Sequence, residues 1–268
     1  MGTHSDYADQ LRALMARTDL SDPELLAKSL VTAAKWRTAL WVNTLAQEGL
    51  HIRSGPFEGM DYVVHSAEGA LLPRLLGVYE RELHPALEAL RHVGLQHVID
   101  IGCAEGYYAV GLARLMPGVT VNAYDTNETA RRRCRILAEA NGVADQVVIR
   151  EEFRGEEFAR FAGSRVLVFI DAEGFEDEVL RPDLYPALAG FDLIVETHPM
   201  YREGVTERLI QRFEATHEID RINPSVEKAD LLAQLTQNSH LDMLLATWEW
   251  RSGPTPWLVM RPKTELRA

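Results

Sequence analysis

Apolar residues recur at two different periods along this chain, and the change falls near residue 95. Before it the spacing is helical. Leu26, Leu30, Ala33, Ala34, Trp41 and Leu45 mark one face of a predicted helix between Leu25 and Leu50. Asp22, followed by Pro23 and Glu24, reads as its N-cap and first turn. From Gly49 the pattern breaks at Ser54-Gly55-Pro56 and Glu58-Gly59, which predicts a hairpin of two short strands within residues 51–65. A further helix is expected from about Pro73 to Val93, with Pro85 as the residue that would kink or split it.

After residue 97 short apolar runs alternate with amphipathic stretches. HVIDIG, VTVNAYD, QVVIREE, RVLVFIDAE and FDLIVETH read as five strands, and HEIDRI and PWLVMRP as a sixth and seventh. GYYAVGLARLM, ETARRRCRILAEAN (closed by Gly142) and GVTERLIQRFEATH read as intervening helices. Strands alternating with helices predict an α/β, doubly wound sheet. The expected organisation is an N-terminal helical and hairpin region over residues 1–94 and a sheet domain over residues 95–268.

Composition narrows the function. Forty acidic against 28 basic side chains give a net charge of −12, which argues against nucleic acid as a partner. Two cysteines, Cys103 and Cys134, make no disulfide framework and suit a reducing compartment. MGTHSDYADQ lacks the basic and apolar regions of a signal peptide, and no apolar run reaches membrane-spanning length. The expectation is a soluble, cytoplasmic protein without a membrane partner.

In open α/β sheets ligands bind where strand ends meet helix N-termini. The first such junction here is VIDIGCAEGYYAVGLA, in which Gly102 and Gly106 frame the turn. Asp125, at the end of the second strand, is placed to hold both hydroxyls of a ribose. A dinucleotide loop prefers G-x-G-x-x-G, but here the run is G-C-A-E-G-Y, with Ala104 in place of the middle glycine. Glu105 would also set a negative charge beside a pyrophosphate. S-adenosylmethionine carries a sulfonium and an ammonium instead, so an acidic loop favours it over NAD. Asp100, at the strand end, can orient the loop or reach that ammonium.

These segments resemble the class I S-adenosylmethionine-dependent methyltransferases, and within them the FkbM-type group. The resemblance is carried by GPFEGM at 55–60, LLGVYERELHPALEAL at 75–90, IDIGCAEGYYAVGLA at 99–113 and FIDAEGFEDEVL at 169–180, with IVETH and WLVMRP adding to it. One departure is Phe169, where FkbM-type sequences usually place Lys, so any role of that lysine is not carried over. The resemblance implies a Rossmann-like seven-stranded sheet with the last strand antiparallel, and methyl transfer, most often to a hydroxyl of a small molecule or sugar-containing natural product. Carried onto this chain, it implies that Asp100, Gly102, Cys103, Gly106 and Tyr107 line the cofactor and that Asp125 holds its ribose. Glu152 becomes a candidate for the adenine edge, or equally one solvated acid of the pair Glu151-Glu152. Glu80 becomes a contact from the N-terminal side, or equally an ion-pair partner of Arg81 or Arg74 on a helix surface.

Methyl transfer to a hydroxyl needs alignment, exclusion of water and a route for the proton. Asp171 with Glu173 follows the fourth strand, and Glu196 with His198 follows the fifth. In one reading Asp171, Glu196 and His198 bind a divalent cation, by positional analogy with catechol-type O-methyltransferases; the donor set does not choose between Mg²⁺ and a transition metal. In the other, His198 or Asp171 is the general base and no metal takes part. Trp248, Trp250 and Trp257 either wall an acceptor pocket or pack the final strands. Arg131, Arg132, Arg133 and Arg135 read as a solvated helix face. The leading expectation is therefore an S-adenosylmethionine-dependent O-methyltransferase acting on a small molecule, with residues 1–94 covering the cofactor and shaping the acceptor site. A homodimer is compatible with the sequence. The alternatives are an NAD-dependent oxidoreductase and a non-catalytic interaction module.

Overall fold

The computed structural model describes residues 4–64, 71–225, 239–251 and 253–263. One seven-stranded sheet has the order β3-β2-β1-β4-β5-β7-β6. Its strands are β1 (His97–Ile101), β2 (Thr120–Tyr124), β3 (Val147–Arg150), β4 (Val166–Ile170), β5 (Asp192–Glu196), β6 (His217–Ile222) and β7 (Trp257–Pro262). β1 to β5 are parallel, whereas β7 runs antiparallel to both β5 and β6. This is the Rossmann-like seven-stranded α/β sheet, with its last strand antiparallel, expected for the chain. Strand order reverses between β1 and β4, so a crevice opens at their carboxyl ends.

The inner strands are covered on both faces, which is why they read as continuous apolar runs. Val98, Val121, Leu167, Phe169 and Ile194 share one core with α5 (Tyr107–Leu115) and α6 (Glu128–Ala140). Ile99, Val166, Val168, Ile170 and Val195 share the other with Val205, Leu209 and Phe213 of α8 (Val205–Phe213). Between them in sequence lies the short helix α7 (Glu176–Val179), and α9 (His240–Ala246) precedes β7.

The N-terminal region departs from expectation in its details. The predicted first helix is two, α1 (His4–Met15) and α2 (Asp22–Ala46). Ser21, and not Asp22, caps α2: the Glu24 carboxylate accepts from the Ser21 amide and hydroxyl at 2.9 and 2.7 Å. The predicted hairpin is reduced to one bridge between His51 and Asp61, and His65 lies outside the described residues. The predicted helix over 73–93 is α3 (Leu71–Leu76) and α4 (His84–Ala89), parted at Gly77 instead of Pro85. Gly77 has φ +76° and sits so close to Ser54 that a Cβ would stand 1.9 Å from the Ser54 carbonyl oxygen. Pro85 falls in the first turn of α4, where its missing N–H has no consequence.

Residues 52–87 do not build a core of their own. Ile52, Phe57, Tyr62, Leu75, Leu83 and Leu87 belong to the same apolar cluster as α5 and the sheet. Phe57 lies on Gly111 of α5, so the start of this stretch rides on the helix behind the glycine loop. It also delivers a charge. Arg74 reaches the fully buried Glu105 at 2.5 Å, the Tyr62 hydroxyl donates to the same carboxylate oxygen, and the guanidinium stacks 4.3 Å from the Tyr79 ring centre. Glu105 therefore faces the core.

Because a lone buried charge is far costlier than a compensated pair, Arg74→Met is expected to lower stability by about 3–5 kcal/mol. Adding Glu105→Leu should recover most of that loss, as read by the urea midpoint. A double variant no more stable than the single one would show that the pair is not the source of the loss.

Candidate active site

The loop between β1 and α5 is shaped first by backbone contacts. Gly102 has φ +88°, and a Cβ on it would stand 2.0 Å from the Asp171 carbonyl oxygen, so glycine lets the ends of β1 and β4 close together. Gly106 has φ +96° and abuts Cys134, setting α5 against α6. Asp125, at the end of β2, ties the loop down: its two carboxylate oxygens accept from the Ala104 amide at 2.9 Å and the Asn127 amide at 2.7 Å. Arg131, the first of the basic run, is drawn into the same support and donates to the Asp125 and Thr126 carbonyls.

A cleft of about 420 Å³ opens over this loop. Of the residues predicted for the cofactor, Gly102, Asp125 and Glu152 line it. Phe153 and Phe175 add apolar walls that sequence reasoning did not single out. Glu151, Glu152, Asp125, Asp171 and Glu173 add carboxylates, no Lys or Arg is among the described lining residues, and Arg131 and Arg154 reach Glu151 and Glu152 at 3.4 and 3.2 Å without lining the cleft themselves.

Four expected participants stand elsewhere. Cys103 is a buried free thiol hydrogen-bonded to that of Cys134, which, with burial, pushes its pKa up. Tyr107 is packed edge-on against Phe57, Tyr62, Tyr79 and Tyr108, in the core. Glu105 is paired with Arg74, so it lends no charge to the cleft and is no part of an acidic loop. Glu80 is 1% exposed and is neither a helix-surface residue nor a lining residue of the cleft. Phe169 lies between Tyr108 and Trp257, ring centres 4.2 and 5.3 Å away, an apolar slot with no place for the lysine of FkbM-type chains.

Asp100 is buried beside the cleft, one residue before the lining Ile101, and its Oδ2 has no hydrogen-bond partner. Burial, and then the negative charge of Asp125, raise its pKa to about 8.

The ends of β4 and β5 bring Asp171, Glu196 and His198 together, with one ligand atom of each lying within 4.8 Å of the others. His198 Nε2 is 3.5 Å from Asp171 Oδ1 and 3.6 Å from Glu196 Oε2. Its other ring nitrogen faces Glu176 Oε1 at 3.3 Å, and Glu176 also accepts from the amides of His198 and Gly174. Glu176 is fully buried and aims the imidazole at the two carboxylates. It lies within FIDAEGFEDEVL, where the sequence marks no role for it. Burial opposes the imidazolium, but Glu176, Glu196 and Glu173 outweigh it and hold the His198 pKa above the usual value. A carboxylate orienting a histidine whose far nitrogen meets two more carboxylates is a donor set that fits a divalent cation.

Arg251 borders the cluster, a residue no sequence pattern marks. Its Nη2 donates to Glu80 at 2.6 Å, its Nε to Glu249 at 2.9 Å and its Nη1 to Glu196 and Thr255. Tyr108 donates its hydroxyl to Glu80 from the other side. Non-glycine residues with left-handed backbone gather nearby: Ala104, Glu173, Glu80 and Trp250, with φ of 47°, 45°, 48° and 63°. Strain of this kind persists where the surroundings impose it, commonly at functional sites.

Asp100 supplies a test of this electrostatics. Its folded pKa is raised, so its burial costs nothing below about pH 4 and progressively more as pH climbs towards about 8. Asp100→Asn is thus expected to stabilise the protein by up to about 4 kcal/mol at pH 7, and not at pH 4. Urea midpoints at the two pH values check this, and an equal change at both would overturn it.

No family model matches the chain, and no curated protein does. Among solved structures it is similar to the O-methyltransferase TomG from Streptomyces achromogenes, involved in tomaymycin synthesis and solved with SAM, at 14% identity over 67% of this chain and 80% of that one, with a TM-score of 0.45. An O-methyltransferase from Bacillus cereus in complex with SAH is 14% identical over 97% of this chain and 99% of that one, TM-score 0.45. Cofactor-bound Rv0187 from MTB is 15% identical over 94% and 97%, TM-score 0.46. At these identities the likeness is one of fold.

Proposed function

We propose that this chain is an S-adenosylmethionine-dependent methyltransferase that transfers a methyl group to a hydroxyl of a small molecule, in the manner of the FkbM-like group its sequence resembles. The observation that supports this reading most is the cleft over the β1–α5 loop, walled by carboxylates without a lining cation. A pyrophosphate is repelled there, whereas a sulfonium and an ammonium are attracted. Asp125 presents acceptors at the position a ribose takes in this fold, Phe153 and Phe175 offer faces for a base, and Asp100 is a buried carboxyl beside the loop. The volume of about 420 Å³ suits one nucleoside-sized ligand.

The chemistry then falls to the ends of β4 and β5. Asp171 stands at the boundary between the cofactor cleft and the acceptor side, and lines both. Asp171, Glu196 and His198 would hold a divalent cation, which when bound supplies a Lewis acid that acidifies the acceptor hydroxyl. Glu176 keeps the imidazole in register, and Arg251 with Thr255 fixes one oxygen of Glu196 so that the other faces His198. Without a cation, Asp171 or His198 accepts the acceptor's proton directly.

Two measurements test the reading. S-adenosylhomocysteine at a hundredfold excess over its Kd is expected to raise the melting temperature by about 5–10 °C, NAD is expected to leave it unchanged, and Asp125→Ala should abolish the shift. Stabilisation by NAD instead would favour the oxidoreductase, and stabilisation by neither the interaction module. For the metal, treatment with EDTA is expected to lower turnover at least tenfold, with recovery on adding Mg²⁺ or Mn²⁺. Undiminished activity would leave the proton to Asp171 or His198 alone.

A further inference from the structure

Beside the cofactor cleft is a second cavity of about 140 Å³, and Asp171 and Glu173 line both. A group bound there lies next to whatever fills the cleft, so, on the methyltransferase reading above, this cavity takes the methyl acceptor. We propose that the acceptor is a single-ring hydroxy compound that carries a positive charge and no negative one.

Three features support this assignment. The first is size: a cavity of about 150 Å³ accommodates one benzene ring, and this one is comparable. The second is the wall. Tyr79, Tyr201 and Trp250 line the cavity, so aromatic rings border whatever aromatic guest or cation enters it. Trp250 already receives a cation on one side, where Lys35 of α2 lies 4.2 Å from its ring centre.

The third is charge. Among the described residues Asp171, Glu173, Glu196 and Glu249 line the cavity against two basic side chains, Arg251 and His198, and a His198 that ligates a metal is neutral. Even with a divalent cation on the Asp171 cluster, four carboxylates exceed the three positive charges of the cation and Arg251 by one. Nor can Arg251 receive an anion in the usual bidentate way. Each of its three nitrogens already donates to a carboxylate, Nε to Glu249, Nη1 to Glu196 and Nη2 to Glu80. A carboxylate or phosphate on the acceptor would therefore enter a negative site and find at most the second N–H of Nη2 to meet it. An ammonium would find compensating charge on several sides.

The test is titration calorimetry on the full chain saturated with S-adenosylhomocysteine and magnesium, using tyramine, p-cresol and 4-hydroxyphenylacetate, which share one ring and one hydroxyl and differ in charge. Tyramine is expected to bind at least tenfold more tightly than 4-hydroxyphenylacetate, with p-cresol between them. Glu173→Gln should narrow that ratio about threefold, and the ratio serves as its own control for altered folding. Equal binding, or preference for the acid, overturns the charge assignment. If none of the three binds while S-adenosylhomocysteine still stabilises the protein, the single-ring assignment is wrong and the methyltransferase reading stands. If S-adenosylhomocysteine itself fails to stabilise the chain, that reading falls and takes the acceptor with it.

Discussion

The Arg251 guanidinium is the contact on which the site depends. It binds Glu80 from the N-terminal region, Glu196 from the end of β5 and Glu249 from the segment before β7. Three parts of the chain far apart in sequence thus meet at one cation, and two of its carboxylate partners are more than nine-tenths buried at the side chain with the third 1% exposed. A carboxylate buried at that depth stays ionised only beside a compensating charge. Glu196 is the case in point: burial works against its charge, yet Asp171, Arg251 and His198 together hold its pKa below the ordinary value. Glu80, a partner of the same arginine, goes the other way, to about 7, through burial and the nearness of Glu196. One arginine therefore pairs with two carboxylates of opposite tendency, Glu196 held below its ordinary pKa and Glu80 raised by burial and by Glu196 in spite of Arg251.

A second buried arginine repeats this on the far side of the glycine loop. Arg74 neutralises Glu105, and the aromatic rings of Tyr62, Tyr79 and Tyr107 exclude water around the pair. Arg74 thus withdraws Glu105 from the acidic residues around the loop into the core, whereas Glu196 and Glu249, though paired with Arg251, still line the second cavity.

That separation explains what the sequence could and could not reveal. Strands and their ends were legible, because period and apolar run length report burial on a sheet directly. Asp125, Asp171, Glu196 and His198 were legible for the same reason: each follows a strand, and topology brings those ends to one edge. The side towards which a loop residue turns is not encoded in its spacing. Glu105 sits between Ala104 and Gly106 like a ligand-facing acid, but its partner Arg74 lies 31 positions away in a region whose helix breaks at Gly77. Tyr107 and Cys103 follow the same rule, since the surface they pack on comes from Phe57, Tyr62 and Tyr79 in one case and Cys134 in the other. Arg251 carries no local pattern at all, because its role consists of contacts with Glu80 and Glu196, 171 and 55 residues away.

The strained backbone follows the same division. Ala104 turns its amide to Asp125, Glu173 stands at the boundary of the two cavities, Glu80 meets Arg251, and Trp250 lines the second cavity. Left-handed backbone at a non-glycine residue costs on the order of 1–3 kcal/mol and persists only where surrounding contacts over-determine it. Asp100 adds a buried, half-unpartnered carboxyl whose ionisation opposes folding at neutral pH. Neither feature stabilises the free protein. Among the described lining residues of the first cleft there is no Lys or Arg, so the carboxylates that make the empty fold costlier also disfavour a phosphate-bearing ligand by the same charge.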